Sequence, residues 1–219
     1  MSKIYDNVKA LLHELGDNVL LLLAVKGRSV EEVKEAISAG AKLFGENYLQ
    51  EGEEKIKAIG HAVEWHFIGS IQKKKIKKIV ELFDVIESVD SCETAAMIDR
   101  ASLQLGKKMP VLIEVNSGRE PQKSGAMPED VEIIANQINT LPNVLFFGLM
   151  TMGPNVKNPE DLRKYFRETH ELFAALNKKG MFHTDKPILS MGMSDSYKIA
   201  IEEGANLVRI GTLVFGPRK

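Results

Sequence analysis

Cysteine is nearly missing from this 219-residue sequence. Cys92 stands alone, so no disulfide can close within the chain, and a reducing cytoplasm is its expected home. Charge of one sign is missing too: 29 Lys and Arg face 30 Asp and Glu, a formal net charge of −1. No overall field therefore favours nucleic acid or a membrane surface as partner. No apolar run approaches the roughly 18 residues that a membrane span needs. The opening MSKIYDNVKALLHELGDN has no apolar h-region with a cleavage site and reads as an amphipathic helix. His13, His61, His66, His170 and His183 show no metal-ligand spacing. No stretch rich in Pro, Gly or Ser divides the chain, so one domain over residues 1–219 is expected.

What is present is an alternation. Short β-rich apolar runs fall at residues 19–25, 43–44, 63–68, 83–89, 111–115, 144–150, 188–191 and 207–210. Between them lie stretches of helical period at 30–39, 48–59, 71–82, 92–105, 131–141, 159–177 and 194–203. "SAGAK", "LQLGK", "NKKG" and "EEGAN" each put Gly after a last apolar turn, a helix stop. Ser29, Asn158 and Ser194 read as helix starts. Strands alternating with helices argue for a parallel sheet with crossover helices, and eight units in this length make a small α/β (β/α)8 TIM barrel. An open doubly wound sheet is the alternative, but no glycine-rich dinucleotide fingerprint follows the first strand.

In such barrels the active face is where the strands' C-terminal ends meet. Lys26, Glu46–Asn47, residues 66–69, Asp90, Asn116, residues 151–153, residues 190–194 and residues 209–212 should converge there. Lys26 ends an apolar run, where its amine loses hydration and becomes available to attack a carbonyl. A lysine whose stem covers the rim while its head reaches water fits the same position. The stretch LSMGMSDSYKIAIEEGANLVRIGTLVFG adds glycine-bearing turns after strands seven and eight, where barrels commonly bind phosphate. Gly192 permits close backbone approach, Ser194 is placed at a helix N-terminus, and Gly211 and Thr212 offer further donors. An amine opposite a phosphate cup suggests an aldehyde-bearing phosphate, and pyridoxal 5′-phosphate fits that description.

The motifs "LLAVK", "FGENYLQE", "WHFIGSIQ", "SVDS", "EVNSGREPQKSG", "GLMTMGP" and the C-terminal stretch together resemble, in order, those of the pyridoxal phosphate homeostasis protein family, also called the proline synthetase co-transcribed homologues. The resemblance implies a single barrel similar to the N-terminal domain of bacterial alanine racemase. It also implies a lysine Schiff base with pyridoxal phosphate, a role in holding or delivering the cofactor to apoenzymes, and no established catalysis. Lys26 is implied as the Schiff-base lysine. Ser190, Met191, Gly211 and Thr212, with Ser194 beside them, are implied phosphate contacts, Arg209 the neighbour of the pyridine nitrogen, and Asn47 a further neighbour of the cofactor. Arginine is donor-only and stays protonated, so a ring nitrogen facing Arg209 keeps no proton of its own and is a weaker electron sink. Lys123, in "QKSG", matches a family lysine that could serve as a second amine or be a solvated loop residue.

Two departures stand out. The family pattern has Ser before the lysine, where Val25 runs straight into Lys26 and the loop reads one residue shorter; and "IQKKK" carries Lys74 where the family shows Asn. The alternative function is an enzyme with weak racemase-like activity. Racemases of this type oppose the lysine with a tyrosine from a second domain. Here Tyr5, Tyr48, Tyr165 and Tyr197 all fall on predicted helices, and only Tyr48 nears the rim. The run Lys73, Lys74, Lys75, Lys77, Lys78 reads as a solvated helix face, His66 and Cys92 as structural, and the methionines after strands six and seven as packing. With no apolar stripe to argue a dimer, a monomer is expected.

Overall fold

The computed structural model describes residues 2–217; Met1, Arg218 and Lys219, the ends of the expected 1–219 unit, lie outside them. Eight parallel strands pair in chain order and the eighth closes on the first, the expected barrel. They are β1 (Leu20–Ala24), β2 (Leu43–Glu46), β3 (Glu64–Phe67), β4 (Val85–Val89), β5 (Met109–Glu114), β6 (Val144–Thr151), β7 (Ile188–Met191) and β8 (Leu207–Ile210). Around them run α1 (Lys3–Leu15), α2 (Val30–Ser38), α3 (Leu49–Ile59), α4 (Ile76–Leu82), α5 (Cys92–Leu105), α6 (Val131–Ile138), α7 (Arg163–Lys178), α8 (Tyr197–Glu202) and α9 (Thr212–Phe215). Among the described residues no helix is long and apolar enough to cross a membrane.

Side-chain alternation along each strand divides the molecule into an outer and an inner layer. Leu21, Leu23 and Val25 join Phe44, Trp65 and Phe67 in the main core with the helices' Val33, Ile56 and Ile79. The inner faces carry a smaller cluster of Val85, Leu112 and Met150. The Val25 N–H continues the ladder to the Gly45 carbonyl at 3.0 Å, and the turn begins at Lys26, closed by the Arg28 N–H donating to the Val25 carbonyl at 3.0 Å.

Helix starts follow the expected caps at two of three places. Ser29 forms a reciprocal capping box with Glu32, and the Asn158 side chain accepts from the Glu160 N–H. Ser194 does not cap α8. Residues 194–196 form a turn, and α8 starts at Tyr197, because the Ser196 hydroxyl turns back to accept the Met193 N–H at 3.1 Å. The expected helices at 71–82 and 159–177 open as 3-10 turns at Lys73–Lys75 and Pro159–Leu162 before becoming α-helical. Phe83, expected in a strand, instead ends α4 and stacks its buried ring edge-on against Phe67 at 5.2 Å.

Candidate functional site

Two of the depressions at the C-terminal ends of the strands carry expected site residues. One, of ≈ 230 Å³, is lined by Lys26, Asn47, Tyr48, Gly69, Ser70 and Lys75 among others. The other, of ≈ 520 Å³, is lined by Met193, Ser194, Asp195, Arg209, Gly211, Thr212 and Leu213. The register Leu23 to Ile210 sets Gly211 beside Ala24, two residues before Lys26. A Cβ at Gly211 would lie 3.3 Å from the Ala24 carbonyl and 3.7 Å from its Cβ, so glycine keeps the β1–β8 seam open.

On the Lys26 side, the ammonium lies over the Tyr48 ring, 4.6 Å from its centroid. Tyr48 is not helical as expected: it holds an extended conformation just before α3, with its ring half exposed. The turn after Lys26 is tied at two points. The Gly27 N–H donates to Glu51 Oε2 at 2.6 Å, and the Arg28 guanidinium donates to the Phe215 and Gly216 carbonyls at the end of α9. Glu51 in turn faces Lys55 at 3.5 Å, and Lys55 makes a 2.7 Å buried ion pair with Glu46 at the end of β2. Burial pushes the Glu46 carboxyl up, against the pull of Lys55. Asn47 passes so close to Gly69 that a Cβ there would fall 2.0 Å from the Asn47 carbonyl oxygen, so β2 and β3 can end side by side only with glycine at 69.

On the Arg209 side, the Ser194 hydroxyl oxygen accepts from the Gly211 and Leu213 N–H groups, at 3.4 and 3.3 Å. Two amides thus converge on one acceptor point. Gly192, with φ of +87°, makes its close approach to α8, where a Cβ would meet Ala200 at 2.6 Å. The Ser190 side chain does not open on either depression. It is fully buried inside the barrel, donating to Glu87 Oε2 at 2.7 Å and accepting from Arg209 Nη1 at 2.6 Å. Met191 falls on the outer face and is packed in the main core, leaving only its main chain at the strand end. Arg209 is anchored further by the Ser190 and Thr151 carbonyls, each at 2.9 Å.

Lys123 is held apart from Lys26. Its ammonium pairs with Glu120 at 2.6 Å and donates to the Gly153 carbonyl at 3.3 Å, in a small depression shared with Glu114 and Asn116. Glu87 and Glu114 were missed among the expected site residues. Each sits on the inner face of a buried strand, "VIESV" and "MPVLIE", and a lone carboxylate in such a strand was the available signal. Burial pushes the Glu114 carboxyl up to about 7, with Arg209 pulling it down and Asp90 and Glu87 adding to the rise.

A family model for the alanine racemase N-terminal domain matches residues 1–219. A pyridoxal phosphate homeostasis protein of Aquifex aeolicus is 42% identical over 223 residues, covering 100% of this chain and 97% of that relative. The chain belongs to the pyridoxal phosphate homeostasis protein family. A second member, from Pasteurella multocida, is 35% identical over 224 residues, covering 100% of this chain and 96% of that protein. Among solved structures, PipY of Synechococcus elongatus without PLP superposes with a TM-score of 0.91 at 31% identity, covering 97% of this chain and 100% of that one. PipY with PLP bound gives 0.89 at 31% identity over the same shares. An alanine racemase of Clostridium difficile shares the fold, with a TM-score of 0.82 at 18% identity over 98% of this chain and 56% of that one. These relatives within the family bear the name of homeostasis proteins, not of enzymes.

Proposed function

We propose that this chain binds pyridoxal 5′-phosphate, with Lys26 as its Schiff-base lysine, and takes part in keeping and delivering the cofactor inside the cell. The observation that carries this is the β1–β8 seam: two amides converge on one acceptor point after β8, Gly211 lies against Ala24 of β1, and Lys26 opens the turn that follows β1. The donor set fits the group. Gly211 and Leu213 N–H groups and the Ser194 hydroxyl suit a phosphate, whose oxygens would take the place now filled by the Ser194 oxygen. Arg209 presents a fixed guanidinium beside them, and the larger depression has the volume of an ordinary small-ligand site.

When bound, the group would supply an aldehyde, with which the Lys26 amine would condense with loss of one water. The protein's own residues do the rest. Glu51 and Arg28 fix the turn that carries Lys26, Asn47 and Tyr48 wall its side of the seam, and Arg209 offers only donors toward a ring nitrogen. Tyr48 lies against Lys26, on the same side as the amine, which does not give a base on each of two faces. That arrangement favours a carrier over a racemase, and an open mouth lets free amines and acceptor apoenzymes reach the cofactor.

The test is absorbance of the purified protein with added pyridoxal 5′-phosphate, then borohydride reduction and peptide mapping. A band of the bound cofactor is expected, trapped on Lys26, and Lys26→Ala should lose it while unfolding at the same temperature. A band retained in Lys26→Ala would move the linkage to another amine, with Lys123 first in line. No band in the unaltered protein sinks the reading.

A further inference from the structure

Inside the barrel a line of charged side chains runs from one mouth to the other. Glu64, at the start of β3, accepts from His66 Nε2 at 2.9 Å; His66 Nδ1 meets Glu87 Oε1 at 2.6 Å. Glu87 Oε2 accepts from the Ser190 hydroxyl, and that hydroxyl accepts from Arg209. The directions are fixed by chemistry. A serine has one proton, which goes to the carboxylate, so its oxygen takes the Arg209 N–H. A histidine with an ionised carboxylate at each nitrogen carries a proton on both. The signs therefore alternate along the line: Glu64 negative, His66 positive, Glu87 negative, Arg209 positive.

This placement is built into the strands. The β4–β5 register slips between Ile86 and Val89, two outward-facing core residues with Glu87 and Ser88 between them. Alternation from the inward-facing Val85 turns Glu87 inward, the irregularity returns Val89 to the outer core, and the Ser88 hydroxyl donates to the Gly69 carbonyl at 2.6 Å. Glu87, His66 and Ser190 are wholly buried, and Arg209 is 4% exposed. A buried cation this close to solvent's edge takes its position from what lies behind it. Burial pushes the Glu87 carboxyl up, but the hydrogen bond from His66 and the two flanking cations outweigh it and hold it below the usual range. Burial likewise lowers His66, and its two carboxylates bring it up to about 9.

We infer that Glu87 is a positioning residue for Arg209, acting through Ser190 and backed by His66 and Glu64, so that the charge presented to the cofactor site is set from the far end of the barrel. The inference rests on the cofactor reading above. It adds that Glu64, half exposed at a ≈ 670 Å³ cavity with Lys42, His61 and Asp84 at the strands' N-terminal ends, influences a ligand at the opposite mouth.

The test compares the unaltered protein with Glu87→Gln and Glu64→Gln, using pyridoxal 5′-phosphate titration, the absorbance maximum of the bound cofactor and thermal unfolding of the apo forms. Glu87→Gln keeps the shape and removes the charge. It should bind about tenfold more weakly, the change expected for a lost hydrogen bond of a charged group, and shift the maximum. Glu64→Gln touches only His66 at the solvent end, and should shift the maximum in the same direction with the fold intact. A structural role alone would lower the unfolding temperature without moving the maximum. If Glu87→Gln does not fold, Glu64→Gln decides: a shifted maximum supports the line and an unchanged one overturns it. Folded variants that both match the unaltered protein overturn it while leaving the cofactor reading in place. No bound cofactor in the unaltered protein removes both.

Discussion

Two fully enclosed charges near the site, Lys55 and Glu46, stand where most barrels would pack apolar groups between β2 and α3. Their 2.7 Å contact offsets the cost of burying both, and the Asn47 N–H at 3.2 Å is the remaining partner of the carboxylate. Taking away one member is therefore harsher than replacing both by apolar groups. Lys55→Met should cost roughly 3–5 kcal/mol of stability, the range for breaking a buried pair. The loss should be larger at pH 8 than at pH 6, because an unpaired Glu46 must take up a proton to stay buried. Urea unfolding at the two pH values checks this, and an equal, small loss at both would show the pair to be dispensable. The same substitution frees Glu51, so the turn bearing Lys26 should loosen. Sequence reasoning placed Glu46 at the rim but could not pair it, since Lys55 reads as one more polar helix position in "LQEGEEKIKAI". The position of Lys26, Arg209, Gly211 and Thr212 at the ends of β1 and β8 was legible because strand ends and glycine turns announce themselves locally. The partner of the Ser190 hydroxyl was not legible for the opposite reason: it is a carboxylate 103 residues away in the chain, on β4.

At the scale of elements, β6 shows how a strand can read simply and behave otherwise. The run at 144–150 looks like one apolar strand, and the strand is there, but its register against β5 slips: Val111 pairs with Phe146 and Leu112 with Gly148. Phe147 is the extra residue. Before it Val144 and Phe146 face the outer core; after it Leu149 does, and Met150 turns inward. That reversal brings the Thr151 carbonyl to the end of β6 where Arg209 donates to it. Gly148 makes the slip possible, for a Cβ there would lie 1.8 Å from the Ile188 carbonyl oxygen of β7. Gly148→Ala should therefore force β6 and β7 apart, costing about 2–3 kcal/mol or more. It should weaken cofactor binding as Thr151 shifts. A thermal melt within a degree of the unaltered protein would show that the strands absorb the methyl without strain. Neither bulge was legible in the sequence, because a bulge depends on which residues of the neighbouring strand lie opposite. Element types and order were legible, since period 2 against period 3.6 is a local property. The false helix start at Ser194 arose where two serines two positions apart both suit a cap, whereas in the fold neither hydroxyl caps α8: Ser194 accepts from Gly211 and Leu213, and Ser196 from Met193.

At the scale of the whole molecule, the interior holds ionisable groups that bias stability along the pH axis in a definable direction. His66 titrates at about 9 in the folded chain against an ordinary 6.5. Its folded value is raised, so its contribution is complete below about pH 6.5 and is lost as pH climbs through 9. Glu114 titrates at about 7 against an ordinary 4.5, so folding favours its neutral form, and that contribution too fades as pH rises, between about 4.5 and 7. Glu64 and Glu87 run the other way. Both are held below the usual carboxylate range, Glu64 first by its His66 hydrogen bond and Glu87 by His66 and Arg209 against its burial. What they contribute is present above about pH 4.5 and lost as pH falls through their folded values. The two sets together bound a window. The unfolding temperature of the apo protein should peak near pH 5–6 and decline steadily toward pH 9. Replacing Glu114 by Gln should flatten the part of that decline below pH 7 and raise stability at pH 8, on the order of 2–3 kcal/mol, while leaving the fall between pH 7 and 9 to His66. A melting curve that stays level from pH 6 to 9 in the unaltered protein would mean that the imidazolium of His66 is not held between its two carboxylates, and the alternating line of charge through the barrel would lose its central member.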